Sequence, residues 1–365
     1  MILHRYFARR FLRSFVMVGG VFLGILVLLD LVEQVRRFDD DGAGFATLLG
    51  LTMLSVPETL YRILPLLVIM ATLALFLNLA RTSELVVTRA SGRSALRALK
   101  APVVMAMLLG ILAVAAMNPI VAATTRHYDV LAERISGSNG NTLSISDEGL
   151  WLRQGGGAGS QTVIRATRAD REGTTLYDTS FQGLSLAGSP VFRIDAAIAR
   201  LDGSRWVLSD AKEWRFDSPN PEQGARLHDE LEIDATLTAE QILDSFATPS
   251  AVSIWDLPAF IAQLENAGFS ARKHRVWLQM ELATPLLLTA MVLVGAGFTM
   301  RHTRFGRTGL MVLLALAMGF TLFFIRNFAQ ILGENGQIPI ALAAWGPPVA
   351  AILLPLGLLL HWEDG

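Results

Sequence analysis

Residues 63–80, ILPLLVIMATLALFLNLA, are eighteen consecutive residues without a charged side chain. Because an α-helix rises about 1.5 Å per residue, a helix of this length nearly spans a hydrocarbon core of about 30 Å. A surface helix of a soluble domain needs one polar face, and this stretch has none. The sequence therefore predicts a transmembrane helix here.

Five further apolar runs lie on either side of this stretch. Only two of them contain an acidic residue, Asp30 near the end of one and Glu281 near the start of another. The runs are residues 14–31, 101–123, 276–300, 310–325 and 338–360. The first is longer than the apolar region of a signal peptide, and no small-residue cleavage pattern follows it. We therefore predict a polytopic α-helical membrane protein with six transmembrane helices.

The short loops indicate the orientation of these helices, because Lys and Arg concentrate on the cytoplasmic side. Twelve basic residues lie in the N-terminal tail, in loop 81–100 and in loop 301–307, whereas the opposite side has only Arg36 and Arg37 in its short loops. This asymmetry predicts that both termini are cytoplasmic and that the long middle segment lies outside.

The middle segment, residues 124–271, has the pattern of a water-soluble β domain. Phe192, Ile194, Ala196 and Ile198 alternate with polar residues, which is the period of a half-buried strand. Similar short runs at 142–145, 150–153, 162–166, 175–186 and 205–216 are separated by turn residues. Strands without intervening helices favour a sandwich, a jellyroll or an open barrel. The expected division is residues 1–123 for helices one to three, 124–271 for the β domain with short helices at its end, and 272–365 for helices four to six.

Composition excludes several classes of function. Only 17% of the residues are charged, the net charge is −1, and there is no Cys. A chain without a basic excess is not expected to bind nucleic acid, and one without Cys has no thiolate nucleophile or Cys zinc site. The six His are scattered and no Walker A sequence is present, so we expect no metal, no cofactor and no ATP hydrolysis by this chain.

The loop RTSELVVTRASGRSALRALK, residues 81–100, has one acidic residue, Glu84, among five basic ones. Ser83 can cap a helix start. A short cytoplasmic helix of about residues 81–97, with one carboxylate and an apolar stripe, fits a docking element for a soluble partner. It fits equally well an interfacial helix whose arginines contact lipid phosphates.

Arg36, Arg37 and Arg62 lie near the outer ends of the first two predicted spans. Such side chains either extend to the lipid headgroups or bind an anionic ligand. In the fifth span, Phe320, Phe324 and Phe328 recur every four residues and form an aromatic stripe, which is more typical of helix packing than of a ligand wall.

Two segments carry a resemblance to a known family: LSVPETLYRILP at 54–65 and RTSELVVTRASG at 81–92. Supporting segments are EGLW at 148–151, RWVLSDA at 205–211 and AVSIWDLPAFIAQLENAG at 251–268. Together they resemble the LptF/LptG permeases of the bacterial lipopolysaccharide exporter, and most closely the LptG branch. The resemblance covers nearly the whole chain.

The resemblance implies an inner-membrane permease with an inserted periplasmic β-jellyroll-like domain. It implies four kinds of partner: an LptF-like permease subunit, a cytoplasmic LptB-type ATPase dimer that binds the ATP, LptC/LptA-type periplasmic bridge proteins, and lipopolysaccharide. It favours docking of the ATPase on loop 81–100, with the coupling residues Arg81, Ser83, Glu84, Leu85, Val86 and Arg89. It implies lipopolysaccharide binding by Arg36, Arg37, Arg62, Phe320 and Phe324.

Two other functions remain open from the sequence. A membrane-anchored periplasmic binding or scaffold module would have a dispensable loop 81–100 and would be isolated without an ATPase. A permease for another lipid or for lipoproteins would share the mechanism and differ in its cargo. We find no set of acid, base and nucleophile that would support a membrane enzyme.

Overall fold

The computed structural model describes residues 2–38, 44–82, 84, 95–136, 143–146, 149–155, 161–170, 174–185, 188–216, 220–235, 248–266, 269–299 and 308–363. The chain divides into two units. The membrane unit comprises Met1–Ile135, Ser253–Trp255 and Arg272–Gly365, and the β unit comprises Ser136–Val252 and Asp256–Ala271. The first division follows Ile135, because the helix of the third span continues beyond residue 123.

The described part of the membrane unit is helical throughout its long segments. Its helices are α1 (Ile2–Arg37), α2 (Phe45–Arg62), α3 (Leu64–Arg81), α4 (Ala95–Leu112), a π-helix (Ala113–Met117), α5 (Asn118–Ser136), α7 (Arg272–Thr299), α8 (Thr308–Glu334) and α9 (Ile340–Glu363). Six helical stretches among the described residues are long and apolar enough to cross a membrane, which confirms the predicted number.

Helix α2 was not expected from the sequence, which suggested only a loop between the first two spans. It ends at Arg62 because of the residues that follow: Pro65 cannot donate a backbone hydrogen bond, and its ring excludes the carbonyl four residues earlier. Ile63 therefore joins α2 to α3 at a break in the helix.

Helix α7 is the centre of the membrane unit and packs against α3, α4, α8 and α9. Close approach to α4 depends on Gly110, where an added Cβ would lie 2.4 Å from the Cα of Pro285. Small residues allow helices to pack at short range in a membrane, where no hydrophobic force drives them together.

Helices α1 and α8 flank α3 and leave broad apolar faces uncovered. For the GxxxG pair of α1, Gly20 and Gly24, no atom of another helix in the described part of the chain lies within 4 Å of a Cβ built on either residue. Exposed apolar faces of this size mark contact with lipid or with another protein.

The β unit is built on one antiparallel sheet whose strands follow the order of the chain. They are β1 (Leu143–Ser146), β2 (Gly149–Gly155), β3 (Gln161–Ala169), β4 (Thr175–Leu184), β5 (Pro190–Asp202), β6 (Arg205–Arg215) and β7 (Arg226–Asp234). The inserted β domain is thus confirmed, and the pairings among the described residues are those of a meander. Strand β7, RLHDELEID, is not among the runs that the sequence indicates, because its charged residues hide the alternation.

The sheet is rolled rather than flat. Gln154 of β2 accepts a hydrogen bond from Nε1 of Trp206 in β6 at 3.2 Å and donates one to the carbonyl of Asp234 in β7 at 3.1 Å. Strands four positions apart in a flat sheet would be separated by about 19 Å, given about 4.8 Å per strand. The sheet therefore closes around a core that contains Phe181 and Trp206.

A line of irregular residues crosses the rolled sheet. Asp178 and Asp210 have φ values of 52° and 53°, and the pairing skips them and their neighbour Ala197. Each of these adjacent strands has one unpaired residue at the same level of the sheet, so the pairing between strands continues in register. Along each strand, the residues that face the core are displaced by one position beyond this level. In β5 the buried residues are Ile194 and Ala196 before the line and Ala199 and Leu201 after it. The alternation expected through Ile198 therefore ends at 196.

One short helix follows the sheet among the described residues. Helix α6 spans Leu257–Asn266, and in the sequence Asp256 and Pro258 mark its start. Thr238, three residues before Gln241, has the spacing of a capping box and predicts another short helix, which lies outside the described residues.

Candidate coupling and substrate sites

Glu84 lies three residues after the end of α3, and its contacts with the described residues include three side chains. The Tyr6 hydroxyl donates a hydrogen bond to Oε2 at 2.7 Å, and the Thr82 hydroxyl donates one to Oε1 at 2.9 Å. The guanidinium of Arg10 forms an ion pair with Oε1 at 3.1 Å. The candidate coupling carboxylate is therefore fixed to the first turns of α1.

The partners of Glu84 depend on a local feature of α1. Tyr6 and Arg10 are four residues apart and therefore lie on one face of the helix, with the guanidinium 5.1 Å from the centre of the Tyr6 ring. The neighbouring stripe, Phe7 and Phe11, is fully buried in the core of the membrane unit. Tyr6 and Arg10 were not predicted from the sequence as partners of Glu84. Their spacing of four residues, which places both on one helix face, was the only signal that the sequence offered.

The charge state of Glu84 follows from these contacts. Partial desolvation raises its pKa, but the hydrogen bonds from Tyr6 and Thr82 and the attraction of Arg10 outweigh it, so the net pKa lies below the ordinary value of a glutamate. Glu84 is therefore ionised at neutral pH, and interactions that need its negative charge are lost only when the pH falls through this lowered pKa.

The other predicted coupling residues are less completely described. Arg81 is exposed in the last turn of α3. Ser83, Leu85, Val86 and Arg89 lie outside the described residues.

Arg36 and Arg37 end α1 and have different surroundings. Arg36, whose side chain is 79% exposed, pairs with Glu33 at 3.1 Å. Arg37 donates a hydrogen bond to the Tyr128 hydroxyl of α5 at 3.1 Å, and that hydroxyl donates to Gln34 at 3.2 Å. Arg37 is therefore a structural link between α1 and α5, and Arg36 is the more accessible charge.

Arg62 pairs with Glu58 one turn earlier in α2, at 2.8 Å. The same carboxylate accepts a hydrogen bond from Thr125 of α5 at 3.4 Å. Thr125 and Tyr128 are three residues apart on α5 and so share a face. The structure thus brings Arg37 and Arg62 to one end of the helix bundle, with Glu58 partly neutralising Arg62.

Phe320 and Phe324 of α8 are 49% and 66% exposed, and Phe328 is exposed as well. The stripe is therefore not used for helix packing within the described part of this chain, contrary to the more common role of such stripes. Three exposed aromatic rings on one helix face suit contact with acyl chains or with another subunit.

A polar cluster that the sequence did not reveal lies inside the membrane unit. Tyr61 of α2 donates a hydrogen bond to Glu281 of α7, whose side chain is buried, and Arg326 of α8 attracts the same carboxylate. The only available signal was that Glu281 is the single charge in its apolar run. The hydrogen bond from Tyr61 to Glu281 thus links α2 to α7 inside the membrane unit.

The π-helix in the third span and the residue after it bind the segment Ser253–Trp255. The carbonyl of Ala115 accepts a hydrogen bond from Nε1 of Trp255 at 3.2 Å, and Oδ1 of Asn118 accepts one from the backbone of Ile254 at 2.8 Å. Segment Ser253–Trp255 is thereby held on the membrane unit. π-Helical turns often occur at functional positions, and here the turn anchors a connecting segment.

Comparison with known proteins supplies the family. Residues 5–361 match the lipopolysaccharide export system permeases LptF/LptG, which is nearly the whole chain. The chain belongs to the LptF/LptG family. It is accordingly a multi-pass inner-membrane permease of the lipopolysaccharide export system and not a catalytic subunit.

Individual relatives agree with this assignment. The chain is 24% identical over 372 residues to the lipopolysaccharide export system permease protein LptG of Escherichia coli K12, covering 97% of this chain and 94% of the relative. It is 21% identical over 364 residues to the protein of the same name from Haemophilus influenzae, covering 96% and 95%. The alignments include both membrane halves and the β unit.

Proposed function

We propose that this chain is the LptG-type subunit of an ATP-powered exporter that extracts lipopolysaccharide from the inner membrane. An LptF-like subunit would complete the membrane part, and an LptB-type ATPase dimer would bind and hydrolyse the ATP. LptC/LptA-type bridge proteins would receive the lipid toward the outer membrane. Both termini would be cytoplasmic and the β unit periplasmic.

The observation that carries this proposal is the arrangement at Glu84. A lone carboxylate in a basic loop is held in a defined position by Tyr6, Arg10 and Thr82. The negative charge of Glu84, at the start of a cytoplasmic segment, suits docking to a basic or aromatic groove of a soluble partner.

The substrate side of the proposal rests on α1 and α8. Both helices have uncovered apolar faces, and Phe320 and Phe324 lie on that of α8. Acyl chains would contact these faces, while Arg36 and Arg37 at the end of α1 would contact the phosphates of lipid A. The cavity between this subunit and its partner would therefore have an apolar wall with a basic rim.

Transport needs a change in this cavity that is driven from the cytoplasmic side. Closure of the ATPase dimer, transmitted through the segment around Glu84, would narrow the cavity. Transport in one direction requires two conformations of the cavity that bind lipopolysaccharide with different affinities. The narrowed cavity must therefore bind lipopolysaccharide more weakly than the open cavity does. No nucleotide motif in this chain is needed for the cycle.

Replacement of Glu84 by Lys tests the docking assignment. The opposite charge should repel the groove that receives the carboxylate, and we expect at least a tenfold loss of ATPase subunit recovered with the purified complex. The control is Glu232→Lys, which makes the same change in strand β7 of the β unit, far along the chain from loop 81–100. Mass spectrometry of the purified complex identifies the ATPase and the bound lipid in the same sample.

Three outcomes would contradict the proposal. Normal recovery of the ATPase and normal transport in the Glu84→Lys variant would remove the docking role. Absence of lipopolysaccharide from the parent complex, with another lipid or a lipoprotein in its place, would change the cargo. Stable isolation of the parent chain without any ATPase would favour the scaffold module.

A further inference from the structure

Two side chains from the first turns of α1 contact Glu84, namely Tyr6 and Arg10. We infer that Tyr6 and Arg10 pass the movement of the coupling segment into α1, and so connect the ATPase to the wall of the cavity. This inference rests on the proposed docking of the ATPase around Glu84. It assigns a positioning role to two residues that need not contact the ATPase.

The carboxylate of Glu84 is held at two points. Tyr6 donates to Oε2, whereas Arg10 pairs with Oε1 on the other side of the group. The guanidinium also lies over the Tyr6 ring, at 5.1 Å from its centre, so the two side chains that hold Glu84 support one another. A carboxylate that is held through both oxygens cannot rotate or shift without moving its partners.

Tyr6 and Arg10 belong to a part of α1 that is packed into the core of the membrane unit. Phe7 and Phe11, in the adjacent stripe of α1, are 1% and 0% exposed and belong to the same core as Phe76 and Leu79 of α3. Packed interiors transmit displacement because they contain few voids that could absorb it. A displacement of Glu84 is therefore expected to move the backbone of α1 rather than only its side chains.

Helix α1 is long enough to carry that displacement to the other end of the membrane unit. It runs from Ile2 to Arg37 without a proline. Arg10 and Arg36 are separated by 26 residues, which corresponds to about 39 Å along a helix. The helix thus joins the coupling residue to the basic rim proposed for lipid A.

The test compares transport with hydrolysis in the complete complex. Tyr6→Phe removes one oxygen atom, and Arg10→Gln removes the charge. Each complex, with its ATPase, is placed in proteoliposomes that contain lipopolysaccharide, and transferred lipid and released phosphate are measured together. We expect the ATPase to be recovered as in the parent and to hydrolyse ATP, while lipid moved per ATP falls about threefold or more in each variant.

Two further variants separate transmission from general damage. Arg9→Gln removes a neighbouring exposed charge from the same turn and should keep the parental ratio of lipid to ATP. Arg10→Lys keeps the positive charge near Oε1 and should restore most of that ratio. A purely structural role of Arg10 would lower the amount of complex but leave the ratio unchanged.

The outcomes distinguish the inference from the proposed function. An unchanged ratio in Tyr6→Phe and Arg10→Gln, with Glu84→Lys still losing the ATPase, would overturn the inference and leave the docking role intact. Loss of the ATPase from the Tyr6→Phe and Arg10→Gln complexes would also overturn it, because the residues would then serve docking. Retention of the ATPase by Glu84→Lys would instead contradict the proposed function.

Discussion

One buried side chain, Gln154, bridges distant strands of the rolled sheet, and its replacement by Leu should lower the stability of the β unit measurably. Gln154 is 2% exposed and joins β2 to Trp206 of β6 and to Asp234 of β7. Leucine has a similar volume, so the change removes the two hydrogen bonds without leaving a large cavity.

The expected cost follows from the groups that lose a partner. Trp206 is 0% exposed, so its Nε1–H would remain in the core without an acceptor, at a cost of about 1–3 kcal/mol. Loss of the bond to Asp234 costs about 1 kcal/mol more, and the greater apolar burial of leucine returns roughly 1 kcal/mol. The net destabilisation is about 2 kcal/mol, or roughly a thirtyfold change in the ratio of folded to unfolded β unit.

Pulse proteolysis of the full-length chain in nanodiscs, over a series of urea concentrations, reports the unfolding of the β unit. The control is Gln182→Leu on the exposed face of β4, which should change the free energy of unfolding by less than about 0.5 kcal/mol. In a double-mutant cycle, Gln154→Leu is combined with Trp206→Phe. The destabilisation of the double variant should be about 1 kcal/mol less than the sum of the two single destabilisations, since neither the donor nor the acceptor of the Trp206–Gln154 hydrogen bond remains. Equal stability of Gln154→Leu and Gln182→Leu, or simple additivity, would refute the reasoning.

Two further predictions concern the membrane unit. Gly110→Val should lower the melting temperature of the purified chain, because a Cβ there would overlap Pro285 and overpacking costs about 1–3 kcal/mol. Gly20→Val should have little effect, since no atom of another described helix lies within 4 Å of a Cβ built at Gly20. Equal losses would argue against the close approach of α4 and α7. Replacement of Arg36 and Arg37 by Gln should reduce photocrosslinking of lipopolysaccharide to α1, and an unchanged yield would mean that both side chains only reach the lipid headgroups.

The candidate site shows where sequence reasoning reached its limit. Glu84 was identified as the one acidic residue of a basic loop, a property that can be read from neighbours along the chain. Its partners Tyr6 and Arg10 lie 78 and 74 positions earlier, and only the packing of α1 beside α3 brings them to the carboxylate. Likewise, the sequence shows Glu281 as a lone charge in an apolar run, but its partner Tyr61 lies 220 positions away along the chain.

The sequence by itself determined the class of the protein. Long runs with at most one charged residue predict six spans, because hydrocarbon disfavours unpaired charge. A period of two predicts the strands, because their side chains alternate between faces. Those signals are local, and they fail where a contact depends on distant residues. The tertiary structure decided the roll of the sheet at Gln154, the shift of its buried face at Asp178 and Asp210, and the hold on Glu84. Each of these depends on which elements become neighbours, and that is determined by the packing of the whole chain rather than by any single segment.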